Sequence, residues 1–385
     1  MSHLLNSAAE ESLLSRGFSR RQLGRIASVF AAGAALPFYN EAAYAQRAMR
    51  RNEMSPDAVR INSNENPLGP CQDALEAIYS VAKFGGRYSP HNENGQMAEM
   101  AASTEGVKPE NITVYAGSSD PLHYVVCAFC SPTRPFVMAD PGYESGASTA
   151  RFIGAKAIHV PLRKDFSHDV QAMVKADATP GVIYICNPNN PTGTLTSSED
   201  IDWVVANMPK GTVLLLDEAY IHFSHNAKMR SDLVNAGKDV IILRTFSKVY
   251  GMAGIRAGFA MARPDLLEKT RTFAATGFVP ITAMAAATAS LKSKTVVAER
   301  RKINKDIRDN VFEFLQAKGY KFTPSEANHF MVDVRRPGGQ VVDALAKQNV
   351  MIGRLWPAWP NSVRVSIGTQ DDMNKFKAAF AKVMA

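Results

Sequence analysis

Little in this chain points to a metal, to nucleic acid or to a membrane. Its 385 residues include only four cysteines, Cys71, Cys127, Cys130 and Cys186, without the two CxxC pairs that a structural zinc site uses. Cys127 and Cys130 have two residues between them in an apolar stretch of helical character, which points to packing rather than to a metal or a disulfide. The formal charge is +8, yet no basic run interleaved with aromatics occurs, so a nucleic-acid footprint is missing. No apolar run reaches the roughly 20 residues of a membrane-spanning helix. Internal repeats and low-complexity segments are absent as well. With 46% hydrophobic and 21% charged residues, the chain has the balance of an ordinary globular protein, and at roughly 150 residues per domain it has room for two or three.

What is present begins with an unusual amino terminus. "SRRQLGR" (19–25) precedes the mildly apolar "IASVFAAGAAL" (26–36), and "AYA" (43–45) precedes Gln46. An arginine pair, a short apolar stretch and a small-residue A-x-A site form an export signal of the twin-arginine kind. The expectation is a periplasmic or exported protein, carried by the twin-arginine machinery, cut near Ala45 and left without a stable membrane anchor. The alternative is a cytosolic amphipathic helix with adjacent arginines.

Further along, "RINSNENPLGP" (60–70) reads as a polar, turn-rich arm and "CQDALEAIYSVAKF" (71–84) has helical apolar spacing. Strands then alternate with helix-period segments. "ITVYAGSSDP" reads as strand, turn and helix start, "PFVMADPGY" as strand then turn, and "GVIYICNPNNPTG" and "TVLLLDEAY" repeat the plan. That alternation predicts an α/β fold with a mainly parallel sheet covered by helices. Residues 265–317 read as long helices, after which "YKFTP", "HFMVDV" and "VRVSIG" predict short strands of a smaller α+β unit. The expected divisions are a signal at 1–45, an arm and helix at 46–84, a large domain at 85–290 and a small α+β domain at 291–385.

The chemistry centres on "RTFSKVYGMAGIRAG" (244–258). Its Lys248 follows "DVIILR" (239–244), a run rich in β-branched residues that reads as a buried parallel strand. A lysine is ordinarily a solvated surface residue. Placed just past the carboxyl end of a strand in an open α/β sheet, it instead sits where ligands bind. There, desolvation and neighbouring cations make its amine nucleophilic toward a carbonyl. Other strand ends add polar groups. Gly117, Ser118 and Ser119 fall at a helix start, which suits either a phosphate or a simple N-cap. Asp217 ends three leucines as a buried carboxylate in need of a cationic partner, a structural arginine being the plain alternative. "CNPNNPTG" (186–193) aims amide side chains from a non-repetitive turn.

Taken together, "NENPLGP", "AGSSD", "PGY", "NPNNPTG", "DEAY", "SKxxxxAGxRxG" and "VRVSIG" make the chain, from about Ile61 onward, resemble the fold-type I pyridoxal-phosphate (PLP) aminotransferases. Within them it is similar to the histidinol-phosphate aminotransferase branch. The resemblance implies a seven-stranded-type sheet, a homodimer with shared active sites and the cofactor pyridoxal 5'-phosphate. It implies that Lys248 forms a Schiff base with PLP and then shuttles a proton, that Asp217 keeps the pyridine nitrogen protonated, and that Tyr220 and Asn190 donate to the phenolic oxygen. Tyr143 stacks on the ring. Gly117, Ser118, Ser119, Thr245, Ser247 and Arg256 surround the phosphate, with Tyr88 reaching it from the neighbouring subunit. On the substrate side the resemblance puts Arg364 on the α-carboxylate, with Arg354, Asn328, Asn66 and Trp356 nearby.

The substrate is read from two departures. Arg354 matches a side-chain-side arginine of the histidinol-phosphate branch, but Trp356 and Trp359 follow it and either line a pocket for an aromatic or extended side chain or merely cap the small domain. No Pro-Tyr pair precedes "NENP", and an exported enzyme would scarcely meet histidinol phosphate. Transamination of another amino acid, aromatic or basic, is therefore expected, with cytoplasmic-type histidinol-phosphate transamination or a different PLP reaction (decarboxylation, racemisation, oxidation) as the alternatives.

Overall fold

The computed structural model describes residues 7–24, 57–274 and 278–385. The apolar stretch 26–36 and the A-x-A site at 43–45 lie outside the described residues. The arginine pair lies inside them, on a segment packed against the body. Helix Ser7–Ser15 leads to Arg16, whose Nη2 donates to the carbonyls of Cys127, Ala128 and Cys130 at 3.0, 2.7 and 3.1 Å. Those carbonyls finish the helix Ser119–Phe129, where a cation is favourable. Leu13, Phe18 and Leu23 are buried in the larger core, while Arg20 and Arg21 stay exposed.

Strand β1 (Val59–Ile61) lies in the stretch expected as an irregular arm. A three-residue strand carries too little periodicity to be visible in sequence, and it forms only because a distant strand pairs with it. The main sheet follows, from β2 (Ile112–Tyr115), β3 (Phe136–Asp140), β4 (Ala157–Pro161), β5 (Val182–Cys186), β6 (Val213–Asp217), β7 (Val240–Thr245) and β8 (Gly258–Met261). Their order is β2-β8-β7-β6-β5-β3-β4, and only β8 runs antiparallel to its neighbours. The mainly parallel, seven-stranded α/β sheet is as expected. Every residue of β5, β6 and β7 is buried, because helices cover both faces and each strand is a nearly continuous apolar run.

A smaller core is built on β9 (His329–Asp333), β10 (Val350–Ile352) and β11 (Ser362–Ser366). β1 pairs parallel with β10, and β9 antiparallel with β11. Val59 and Ile61 thus join the smaller core, whereas Ala74 on helix Gln72–Ala82 joins the larger one. "YKFTP" does not form a strand. It makes a single bridge, Phe322 to Val332. Cys127 and Cys130 pack in the larger core, and burial pushes the Cys127 thiol up to about 12 and raises that of Cys130 too.

Candidate active site

Three adjacent parallel strands end on one edge of the sheet: β5 at Cys186, β6 at Asp217 and β7 at Thr245. Next to them the chain adds β4 on one side of β3 and returns to the other side with β5. A crevice at such a reversal is the usual ligand site of an open α/β sheet. Here it is a cavity of about 280 Å³ that Lys248 and Asp217 both line.

Lys248 is only 8% exposed, so it is not a solvated surface lysine. Its Nζ donates to the Asn64 carbonyl at 3.1 Å and lies 5.3 Å from the centre of the Tyr220 ring. The Tyr220 hydroxyl in turn accepts from Asn64 Nδ2 at 3.1 Å. Asn64 has a φ of 51°, in the left-handed region that Asn tolerates, and its Oδ1 accepts from Ser366 Oγ at 2.8 Å. One residue of "NENP" thus braces both the lysine and the tyrosine from the smaller core. Asn66, expected near the substrate, points elsewhere: its Nδ2 donates to the Val249 carbonyl at 3.0 Å.

Asp217 accepts from the Tyr184 hydroxyl at 2.9 Å and from the Ala219 amide at 3.1 Å. The structural arginine that could have claimed it, Arg244, pairs with Glu105 and Glu218 instead. Burial pushes the Asp217 carboxyl up to about 6, opposed by the Tyr184 and Ala219 hydrogen bonds and by the Lys248 charge. A buried carboxylate of this kind suits a cationic ligand nitrogen.

At the other end, Ser118 stands at the cap of helix Ser119–Phe129 but makes no side-chain capping bond. Its hydroxyl and that of Ser119 line the cavity beside the helix's amino-terminal dipole, an anion site by construction. Arg256 completes it. Its Nη1 donates to Ser247 Oγ at 3.1 Å and its Nη2 to the Ala116 carbonyl at 3.0 Å. Thr245 Oγ1 donates to Ser247 Oγ at 2.9 Å. Arg256 holds a φ of 70°, unfavourable for a long side chain, to aim its guanidinium here. Gly117 has a φ of 98°, and a Cβ on it would overlap that guanidinium, so only glycine admits the arginine to the helix start.

Tyr143 and Asn190 line the same cavity. Asn190 Oδ1 accepts from Arg364 Nη1 at 3.0 Å, and Arg364 Nη2 donates to the Asn62 carbonyl at 2.6 Å. Arg364 is fully buried against the cavity wall, its guanidinium 5.4 Å from the centre of the Trp356 indole. Trp356 Nε1 donates to the Gly142 carbonyl at 2.9 Å. Trp359 turns away and packs its ring edge on Phe166.

Arg354, Trp356 and Arg364 are buried behind the cavity lining rather than in it, and Asn66, Asn328 and Tyr88 lie apart from it. Asn66 and Asn328 line a second one of about 210 Å³, and Asn328 Nδ2 donates to the Glu65 carbonyl at 3.1 Å. Both amides hold backbone, so they shape the wall rather than face the Lys248 cavity. Tyr88 is 80% exposed and stacks on Phe278 on the surface. Reading the sequence missed Tyr184, Asn64 and Glu144. Tyr184 left one signal, a lone hydroxyl in an apolar strand, because a buried phenol needs a partner.

The aminotransferase class I and II family model matches residues 56–380. The chain belongs to that family. This aminotransferase is 33% identical over 336 residues to the histidinol-phosphate aminotransferase of Moorella thermoacetica, with 86% of each chain covered. It is 32% identical over 335 residues to the aromatic amino acid aminotransferase of Rhodococcus jostii, covering 84% of this chain and 89% of that one. It also superposes on the histidinol-phosphate aminotransferase of Sinorhizobium meliloti, solved with pyridoxal-5'-phosphate, with a TM-score of 0.80, 26% identity and coverage of 91% and 95%.

The cofactor of this aminotransferase is pyridoxal 5'-phosphate, and its site fits that group on three counts. The Gly117 to Arg256 cradle matches a phosphate, the Asp217 carboxylate matches a protonated pyridine nitrogen, and the buried Lys248 amine matches an aldehyde. When bound, the cofactor supplies that aldehyde and a ring that withdraws electrons from the substrate Cα.

Proposed function

We propose that this transaminase takes its amino group from an L-amino acid with an aromatic side chain and passes it to a 2-oxo acid. The observation that carries the reading is Tyr143 and Asn190 in the cavity lining with Arg364 and Trp356 buried directly behind them. Arg364 offers a planar fork for an α-carboxylate. Trp356, held to the turn that bears Tyr143, places an indole beside it. A flat side chain extending from a gripped carboxylate meets aromatic surface there. The name of the Rhodococcus relative supports the same reading.

In this reading Lys248 is the nucleophile toward the cofactor and afterwards holds and delivers the proton at the substrate Cα. Asp217 would hold the protonated pyridine nitrogen of the bound cofactor. Tyr220 and Asn190 would serve its phenolic oxygen, and Tyr143 would hold its ring. Gly117, Ser118, Ser119, Thr245, Ser247 and Arg256 hold the phosphate, with Tyr88 of a second copy adding to it. The exposure of Tyr88 and Phe278 supports a homodimer in which each copy completes the other's site.

The test is the visible absorbance of the bound cofactor during titration with L-phenylalanine, L-tyrosine, L-tryptophan, L-arginine and histidinol phosphate. An aromatic donor should bleach the band and a 2-oxo acid restore it. Bleaching by histidinol phosphate alone would establish the second reading, which the Moorella relative's name and the position of Arg354 favour.

Export by the twin-arginine route is also proposed, on the "SRRQLGR" motif and on the exposure of Arg20 and Arg21. Fractionation of cells making the wild type and the Arg20→Lys/Arg21→Lys double variant tests it. The wild type should be found outside the cytoplasm and the variant within; a wild type confined to the cytoplasm ends the reading.

A further inference from the structure

The substrate side holds an ion pair that transamination itself does not use. Arg354 is 6% exposed, and its Nη2 lies 2.8 Å from Oε2 of Glu144, itself 28% exposed. The two residues are 210 positions apart in the chain. Behind the pair, the Arg354 guanidinium lies 4.5 Å from the centre of the Trp356 indole, and Trp356 is tied to Gly142. Glu144 directly follows Tyr143, which lines the Lys248 cavity. The charge nearer solvent is therefore the carboxylate, with the guanidinium enclosed behind it.

We propose that Glu144 is a specificity-determining residue: it occupies Arg354 and closes that arginine to side chains ending in a phosphate or carboxylate, leaving uncharged aromatic side chains as substrates. The inference rests on the aromatic-donor reading above. A phosphate monoester reaching Arg354 must either displace the Glu144 carboxylate or share one guanidinium with it. Displacement leaves a carboxylate beside a dianion, and sharing brings two anions together where little water screens them. An aromatic side chain meets neither cost, since it makes no claim on the guanidinium. Rejection by a like charge discriminates more sharply than a few extra apolar contacts to the preferred substrate would.

The experiment compares kcat/KM for histidinol phosphate and for L-phenylalanine in the holoenzyme, as wild type, Glu144→Gln, Arg354→Gln and the double variant. Glu144→Gln should raise the ratio of histidinol phosphate to phenylalanine by about tenfold or more, the scale of one like-charge contact removed. The double variant should lose that gain, because the gain needs the guanidinium. A ratio that moves by less than about twofold in Glu144→Gln, or a gain that persists in the double variant, overturns the proposal. Arg354→Gln alone should lower the ratio, because it leaves the Glu144 carboxylate unpaired beside the phosphate. A double-variant ratio about tenfold below that of the wild type would mean that Arg354 already serves phosphate in the wild type, which also overturns it. Should the wild type convert no aromatic amino acid, the substrate reading fails, and the Glu144 inference is then decided by inorganic phosphate. It should inhibit Glu144→Gln at about tenfold lower concentration than the wild type, and equal inhibition sinks the inference.

Discussion

The floor and the far wall of the active site are built in different ways. The floor consists of Asp217 and Lys248 at or just past strand ends, Ser118 at the start of the helix that follows one, and Arg256 just ahead of β8, all on one sheet. The wall consists of side chains that reach across the molecule. Arg364 bonds to Asn190, 174 positions away, and Arg354 to Glu144, 210 away. A floor mounted on a fully buried sheet presents its groups in a fixed array, which suits a cofactor that every substrate shares. A wall assembled from both cores can change its chemistry by one residue, such as Glu144, without disturbing that array.

The largest expected effect strikes the floor. Lys248→Ala should lower kcat by on the order of 10⁴-fold or more for every donor alike, since nucleophile and proton carrier are lost together. Rates that recover to near wild type for any one donor would break the assignment. On the wall, Arg364→Ala should cost about 2–5 kcal/mol in kcat/KM for donors with an α-carboxylate, the range for truncating one partner of a buried charge pair. The cofactor absorbance should be retained. Loss of the cofactor as well would show that wall and floor are not separable.

A third prediction uses pH. The Asp217 carboxyl is raised from 3.8 to about 6 by burial, so the folded cofactor-free protein binds that proton more tightly than the unfolded chain. Its contribution is most favourable below pH of about 4 and is lost as pH rises to about 6, a total of about 3 kcal/mol. Asp217→Asn should therefore stabilise the cofactor-free protein at pH 7.5, by up to about 3 kcal/mol in urea unfolding, while weakening its hold on the cofactor. An unchanged pH profile would show that Asp217 is not buried as a charge. The smallest effect belongs to Tyr184→Phe, which removes one hydrogen bond from the carboxylate. A loss of about 1.5–3 kcal/mol in cofactor binding is expected, measured by equilibrium dialysis, with the substrate preference untouched. A changed preference would place Tyr184 in the wall's chemistry.

This contrast also explains what could be read in advance. Lys248, Asp217, Ser118 and Arg256 each sit in a short motif beside a strand whose apolar run announces itself, so a dozen residues suffice to place each one. Trp356 and Arg364 were legible as residue types with a plausible side of the site, but their partners were not. Asn66 was expected in the cavity, yet the chain enters the smaller core through β1 and turns Asn64 inward instead. Nothing in "NENP" distinguishes the two asparagines; the left-handed turn at Asn64 does.

By itself, then, the amino-acid sequence determined the alternation of strands and helices, the sheet edge on which the polar groups of the cavity stand, and which residues carry them. These depend on periodicity and turn chemistry, which act over a few residues. Only the tertiary structure decided that Tyr184 rather than an arginine holds Asp217, that Asn64 joins the smaller core to the lysine, and that Arg354 is already engaged by Glu144. Such pairings depend on which strands lie side by side and how two cores meet, and that is settled by burial summed over the whole chain rather than by any local stretch.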